Sequence, residues 1–243
     1  MTTRIVITAE HGGNDVPANY RPLFKNADDV LATHRGWDPG SLDLAKLFAR
    51  RLKAPLIPAT VTRLLVDLNR KPTNRTVFSE FTRTLDRKMR QEILDHYHTP
   101  HRERVEATVR GFIEAGDQVV HIGMHSFTPE LRDEVRNADI GFLYDPARPG
   151  ERQLCQTWRK SLKAASPALR VRMNYPYKGT SDGLTTTLRE MFPADRYTGC
   201  EVEVNQLWPQ SRPQEWPALQ KALLESFQAV SADLFGCHSP PTH

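Results

Sequence analysis

The chain has 243 residues, 39% of them apolar and 26% charged, with 33 basic residues against 29 acidic ones and a net charge of +4. This length and apolar content suit one sizeable core, so the expectation is a single domain over residues 1–243 with a frayed tail from about 236. No run approaches the ~18 apolar residues of a bilayer span, and the opening MTTRIVITAE has no apolar leader segment, which argues against a membrane partner and for a cytoplasmic setting.

The basic residues are scattered and matched by acidic ones, without a basic run or an aromatic-rich RNA motif, so no nucleic-acid partner is expected. Local arginines are then free to serve a small anionic substrate. Cys155, Cys200 and Cys237 are an odd, widely spaced set without a CxxC pair, which suggests neither a disulfide framework nor a thiolate zinc site. A metal would have to be held by histidine, carboxylate or amide groups.

In chain order, RIVITAE predicts a buried strand. SLDLAKLFARRL (41–52) predicts a helix, with Ser41 as N-cap and Leu42, Ala45, Phe48, Ala49 and Leu52 on one face. APLIPATV and RLLVDLN both look like strands, and the arginine-rich 71–83 stretch like a loop. Helical sequence follows to about Ala115, with a break expected near YHTPH, where Pro100 should start a new helix. QVVHIGMHSF and ADIGFLYD predict strands, ERQLCQTWRKSLKAA a helix, NYPYKGTSDG a turn-rich loop, TGCEVEVNQLW a strand and WPALQKALLESFQAVSADLF a closing helix. This alternation points to a mostly parallel sheet with helices on both faces.

In such a sheet, functional groups collect beyond the carboxyl ends of the strands, and four segments fall there. TAEHGGNDVP ends the first strand with His11, two glycines that leave the backbone open, and Asn14; it suits either a metal site or a capped turn. VVHIGMHSF puts His121, Gly123 and His125 on one strand face. His125 at the strand end could share a metal with His11, whereas His121, roughly 13 Å further back, reads as a satisfied core histidine. TRLLVDLNR supplies Arg63, Asp67, Asn69 and Arg70, a set able to grip a carboxylate or to form a surface ion pair. GCEVEVNQ places Glu201, Glu203 and Asn205 on one face, which is costly inside a sheet unless that face meets a polar cleft. The histidines of HYHTPH are expected at the surface.

The segments EHGGNDVP, THRGWDPGS, RLLVDLNRKP, GMHSFTP and CEVEVNQ, in this order from about Ile5 to Gln206, resemble the N-formylglutamate amidohydrolase family. More distantly, MHSF is similar to the histidine strand of zinc carboxypeptidases, and the R…DLNR segment to the substrate-binding segment of aspartoacylase. The resemblance implies a zinc hydrolase on a three-layer α/β/α sandwich with a mostly parallel mixed sheet, like that of the zinc carboxypeptidases. It implies that His11 and His125 bind Zn2+, that Arg63 polarises the scissile carbonyl, that Asn69 and Arg70 hold the substrate carboxylate, and that Glu203 is the general base. Asn14 is the expected third ligand, although carboxypeptidases and aspartoacylase carry glutamate there; Asp38 in GWDPG is the alternative, because a carboxylate binds zinc better than an amide. Glu201 is the alternative base. The implied activity is hydrolysis of a small anionic N-acyl amino acid, N-formyl-L-glutamate first, in histidine catabolism. A carboxypeptidase or amidase acting on peptides or cell-wall fragments, and a binding protein without turnover, are the other readings. The NYPYKGTSDG loop, with Tyr175, Tyr177 and Lys178, is either a mobile lid or a plain surface loop.

Overall fold

The computed structural model describes residues 2–236, so the expected fraying of the tail and the surroundings of Cys237 lie outside the described residues. The described residues form eight strands: β1 (Thr3–Ala9), β2 (Leu56–Pro58), β3 (Gln118–Phe127), β4 (Glu130–Leu131), β5 (Glu134–Val135), β6 (Ile140–Leu143), β7 (Val171–Met173) and β8 (Tyr197–Asn205). The helices are α1 (Asp28–Leu31), α2 (Ser41–Leu52), α3 (Arg87–Ile93), α4 (Thr99–Glu114), α5 (Pro149–Ala165), α6 (Leu184–Met191), α7 (Leu207–Ser211) and α8 (Trp216–Phe235). Six strands form one sheet in the order β2-β1-β3-β8-β6-β7, while β4 and β5 make a separate hairpin. Within the six-stranded sheet every pairing is parallel except β6 against β8.

Alternation along the strands sorts the two faces. Ile7, Val120, Ile122, Met124, Cys200 and Val202 bury one face against α2, α5 and α8, around the packed rings of Phe48, Phe142, Trp158 and Phe227. Val6, Val119 and Tyr197 bury the other face against Val105 and Val109 of α4 and Leu184 and Leu188 of α6. The result is the expected three-layer α/β/α arrangement. A third apolar cluster, formed by Phe24, Leu31, Leu64, Leu65, Val66 and Ile93, packs within the segments that join β1, β2 and α3.

Three local expectations are corrected. RLLVDLN is not a strand: its backbone closes turns (Leu65 N–H to Thr62 O, 3.0 Å; Arg70 N–H to Asp67 O, 3.1 Å), and its apolar side chains fill the third cluster. A short buried apolar run has the same pattern whether it is strand or packed loop. The chain stays helical near Pro100, since α3 runs into α4 through a π-turn at Leu94–His98, but Pro100 does fall in the first turn of a new helix, α4, as its missing N–H favours. Gly40, with φ of 82°, caps α2, while Ser41 is buried as its first helical residue.

Candidate functional site

β1, β3 and β8 lie side by side and end at the same edge, so the residues after Ala9, around His125 and at Glu201–Asn205 converge. The paired glycines of the first motif serve close approach: a Cβ on Gly13 would stand 2.7 Å from the carbonyl oxygen of Thr60. The turn therefore packs against the segment leaving β2, which carries Arg63, Asp67, Asn69 and Arg70. The GWDPG segment is tied to the same turn by the Asp38 N–H, which donates to His11 O at 2.9 Å.

His11, Asp38 and His125 are all buried, and one ligand atom from each lies within 4.8 Å of the others. His11 Nδ1 is 3.4 Å and His125 Nδ1 is 3.1 Å from Asp38 Oδ2. Neighbouring ligand atoms around a tetrahedral zinc with bonds of about 2.0–2.1 Å stand about 3.3 Å apart, so each histidine stands from Asp38 at the separation such a set requires. His11 Nδ1 is buried without a hydrogen-bond partner among the described residues, as expected of a lone pair directed at an ion. The far nitrogen of each ring faces a carboxylate: His11 Nε2 is 2.7 Å from Asp67 Oδ1, and His125 Nε2 is 3.1 Å from Glu10 Oε2. Such partners fix which ring nitrogen carries the proton and orient the other nitrogen towards a metal.

The charges around this group support one another. Burial favours protonation of Asp67 and Asp38, yet Arg63 and His11 outweigh it and keep both carboxyls well below their ordinary range. Arg63 donates to Asp67 Oδ2 at 2.9 Å and Asp38 Oδ1 at 3.2 Å; burial alone would lower its pKa, but the two carboxylates raise it. Glu10 is likewise held ionised against burial by His101 and His125. Burial opposes the charge on His125, but the carboxylates of Asp38 and Glu10 beside its two ring nitrogens raise its pKa above the ordinary value.

Glu203 differs. It pairs with His125 across the β3–β8 register, is buried, and its Oε2 has no hydrogen-bond partner among the described residues. Burial pushes its carboxyl up to about 8, with Asp38 and Glu201 adding to the shift. Glu201 accepts a hydrogen bond from Thr185 Oγ1 at 2.9 Å, so part of its capacity is already committed.

A cavity of about 200 Å³ is lined by His11, Asp38, Arg63, His125, Glu201 and Glu203, with Asn69, Arg70, Tyr177, Lys178 and Asp182 completing its wall. Asn69 Oδ1 accepts from the Leu184 N–H at 2.7 Å, which leaves the amide nitrogen of that side chain as a donor. Arg70 donates to the carbonyl of Asp182. Tyr177 and Lys178 belong to the turn-rich loop, which rests on bare backbone: a Cβ on Gly141 would overlap the carbonyl oxygen of Tyr175.

Asn14 is not in this group. Its amide donates to Leu31 O at 3.0 Å and ties the turn to α1, while Asp38 is the residue that stands with the two histidines. His121 is buried between Thr8 Oγ1 (2.9 Å) and the Tyr197 hydroxyl (2.7 Å), a satisfied core histidine. The surface expectation for HYHTPH fails for two of its histidines: His98 is buried with Nε2 2.8 Å from Arg70 O, and His101 is buried behind Glu10. Glu10 and its contact with His125 escaped sequence reasoning, since nothing in EHGG shows that the first residue faces a neighbouring strand's histidine.

The sheet, the strand-end position and the two-histidine, one-carboxylate group define an α/β fold with a candidate metal centre. The chain belongs to the N-formylglutamate amidohydrolase family, whose model matches residues 3–208, and it is by that membership a hydrolase of amide bonds. Among solved structures it is similar to a gene product of Agrobacterium tumefaciens, Atu2144, at 27% identity and a TM-score of 0.81, covering 95% of this chain and 91% of that one. An N-formylglutamate amidohydrolase from Ralstonia eutropha JMP134 shares the fold at 18% identity and a TM-score of 0.71, covering 96% of this chain and 94% of that one. No curated protein matches the chain. Among the described residues no helix is long and apolar enough to cross a membrane.

Proposed function

We propose that this chain is a zinc-dependent amidohydrolase of a small anionic N-acyl amino acid, with N-formyl-L-glutamate as the leading substrate and formate and L-glutamate as products. The observation that carries this reading is the convergence of His11, Asp38 and His125 next to a buried, unpartnered Glu203 carboxylate in one small cavity. About 200 Å³ is at or below the usual range for ligand sites, which favours a small substrate over a peptide or cell-wall fragment. Asp38, standing with the two histidines, offers a carboxylate where Asn14 offers only an amide, which supports turnover over a binding protein without it.

His11, Asp38 and His125 would hold zinc, which would supply a Lewis acid and lower the pKa of water towards ~7. The ionised Glu203 carboxylate accepts a proton from the attacking water as the water oxygen bonds to the formyl carbon. The C–N bond then breaks, and Glu203 returns that proton to the departing amine nitrogen. A positive charge in the cavity lowers the raised pKa of Glu203, so that the base is ionised when substrate is bound. Arg63, clamped between Asp38 and Asp67, presents its remaining N–H groups to the charge developing on the carbonyl oxygen. Asn69 and Arg70 hold the substrate's α-carboxylate. A cytoplasmic setting in histidine breakdown belongs to the same proposal by family analogy.

Formate release from N-formyl-L-glutamate, measured on zinc-loaded wild-type and Glu203→Gln protein, tests this reading. Zinc-dependent release that falls by roughly 10²–10⁴ in the variant is expected. Release that survives the substitution would move the base to Glu201, and cleavage of peptides without formate release would overturn the substrate class.

A further inference from the structure

Asp38, Arg63, Ser126 and Tyr177 border two hollows at once. One is the cavity of the metal group, which alone is lined by Asn69 and Arg70. The other, of about 280 Å³, is lined beyond those four residues by Leu64, Phe127, His34 and Thr128, with Arg35 and Glu80. An amide carbonyl held at Arg63 and the metal group, with its nitrogen side anchored at Asn69 and Arg70, directs its remaining substituent away from that anchor, since the groups on a planar amide carbon point apart. The second hollow adjoins Arg63 and Asp38 without either anchor residue. A formyl group would place a single hydrogen there.

The charges of the second hollow cancel. Arg35 pairs with Glu80, and Arg63 is held between Asp38 at 3.2 Å and Asp67 at 2.9 Å. His34 is kept neutral, because burial and then the positive charges of Arg136, Arg63 and Arg35 lower its pKa. The hydroxyls are engaged with neutral partners: Thr128 Oγ1 donates to Glu130 O at 2.9 Å, and Ser126 Oγ accepts from Gln206 Nε2 at 3.1 Å. An ion entering this hollow would lose water without meeting an unpaired charge, whereas a neutral group loses little. The apolar surface on offer is Tyr177, whose side chain borders both hollows and is 43% exposed. Val135 and Met191, the other large apolar side chains exposed among the described residues, line neither hollow. An alkyl group beside Tyr177 would take apolar surface of both partners out of water.

We propose that the second hollow is an acyl-group subsite, and that the chain hydrolyses N-acyl amino acids carrying a short neutral alkyl acyl group, acetyl and propionyl as well as formyl. The proposal rests on the amide-hydrolase reading above and extends its substrate class on the acyl side alone. The bond changes stay the same. The water oxygen bonds to the acyl carbon, the C–N bond breaks, Glu203 returns the proton to the amine nitrogen, and a short-chain carboxylate leaves in place of formate. His34, Thr128 and Tyr177 then set the length of acyl chain that fits.

Glutamate release from N-formyl-, N-acetyl- and N-propionyl-L-glutamate, by zinc-loaded wild-type, Thr128→Trp and His34→Trp proteins, tests this assignment. In wild type, kcat/KM should be about 4-fold higher for the propionyl than for the acetyl substrate, the effect of one more buried methylene. In both variants the indole occupies the hollow and the order reverses, the propionyl substrate falling about 10-fold or more below the acetyl one. Thr128 follows β3 and His34 follows α1, so either variant remains informative if the other does not fold. Cleavage of the formyl but not the acetyl substrate, a wild-type kcat/KM that falls from acetyl to propionyl, or a propionyl-to-acetyl ratio unchanged in the variants would each overturn the proposal. If wild type cleaves none of the three, the amidohydrolase reading fails and calorimetry decides the subsite on its own. Tighter binding of N-propionyl- than of N-acetyl-L-glutamate that is lost in His34→Trp supports it, and equal binding of the two contradicts it.

Discussion

His121 and His125 stand four residues apart on the same face of β3, both buried, in opposite surroundings. His121 is enclosed by the hydroxyls of Thr8 and Tyr197, and burial lowers its pKa to about 4. His125, at the strand end, faces Asp38 on one nitrogen and Glu10 on the other, and its pKa is raised. Identical side chains in one strand therefore act as a neutral packing group and as a candidate metal ligand. The difference lies in whether the strand neighbours supply hydroxyls or carboxylates.

The comparison can be broken first at the carboxylate end. Removing the unpartnered carboxylate beside His125 with Glu203→Gln should lower kcat for formate release by roughly 10²–10⁴ without displacing metal; loss of metal together with activity would show that Glu203 is itself a ligand. Next comes the outer partner of His125. Glu10→Gln leaves the ligand atoms in place but replaces the carboxylate that faces the ring with a neutral amide, so zinc affinity measured by chelator competition should weaken by about 10- to 100-fold. An unchanged affinity would mean that Glu10 serves packing alone.

The neutral end responds to pH instead. The unfolded chain binds a proton on His121 near the ordinary 6.5, whereas the folded chain resists it down to about 4. The stability gained by keeping the ring neutral is therefore complete above pH ~6.5 and is lost as pH falls towards 4. By linkage this group contributes about 2 kcal/mol to the loss between pH 7 and 5. Urea midpoints at those two pH values should differ less in His121→Gln than in wild type; equal differences would show that the ring does not titrate on unfolding. The smallest effect is expected at Asn14, where Asn14→Ala deletes one hydrogen bond to Leu31 O and should cost about 1 kcal/mol of stability.

Much of the site was legible because strand-end residues in a parallel sheet converge. His11, Arg63, Asn69, Arg70, His125 and Glu203 were singled out from motif positions and all line one cavity. The two faces of β3 and β8 followed from alternation alone. Asp38 was visible only as an alternative, since it sits in a loop without periodicity and is held at the site by its backbone bond to His11 and by side-chain contacts with Arg63 and His125. Glu10 and His101 depend on packing between β1, β3 and α4, which no local pattern encodes. RLLVDLN misled because a buried loop and a buried strand share the same apolar run, and HYHTPH misled because Pro100 marks the first turn of α4 without ending the helix before it.

The most direct test of the metal centre is the zinc content of wild-type, Asp38→Asn and Asn14→Ala proteins, each purified, saturated with zinc and desalted before elemental analysis. One zinc per chain in wild type and Asn14→Ala, with the metal lost from Asp38→Asn, is the result this arrangement predicts. Zinc retained by Asp38→Asn and lost from Asn14→Ala would contradict it.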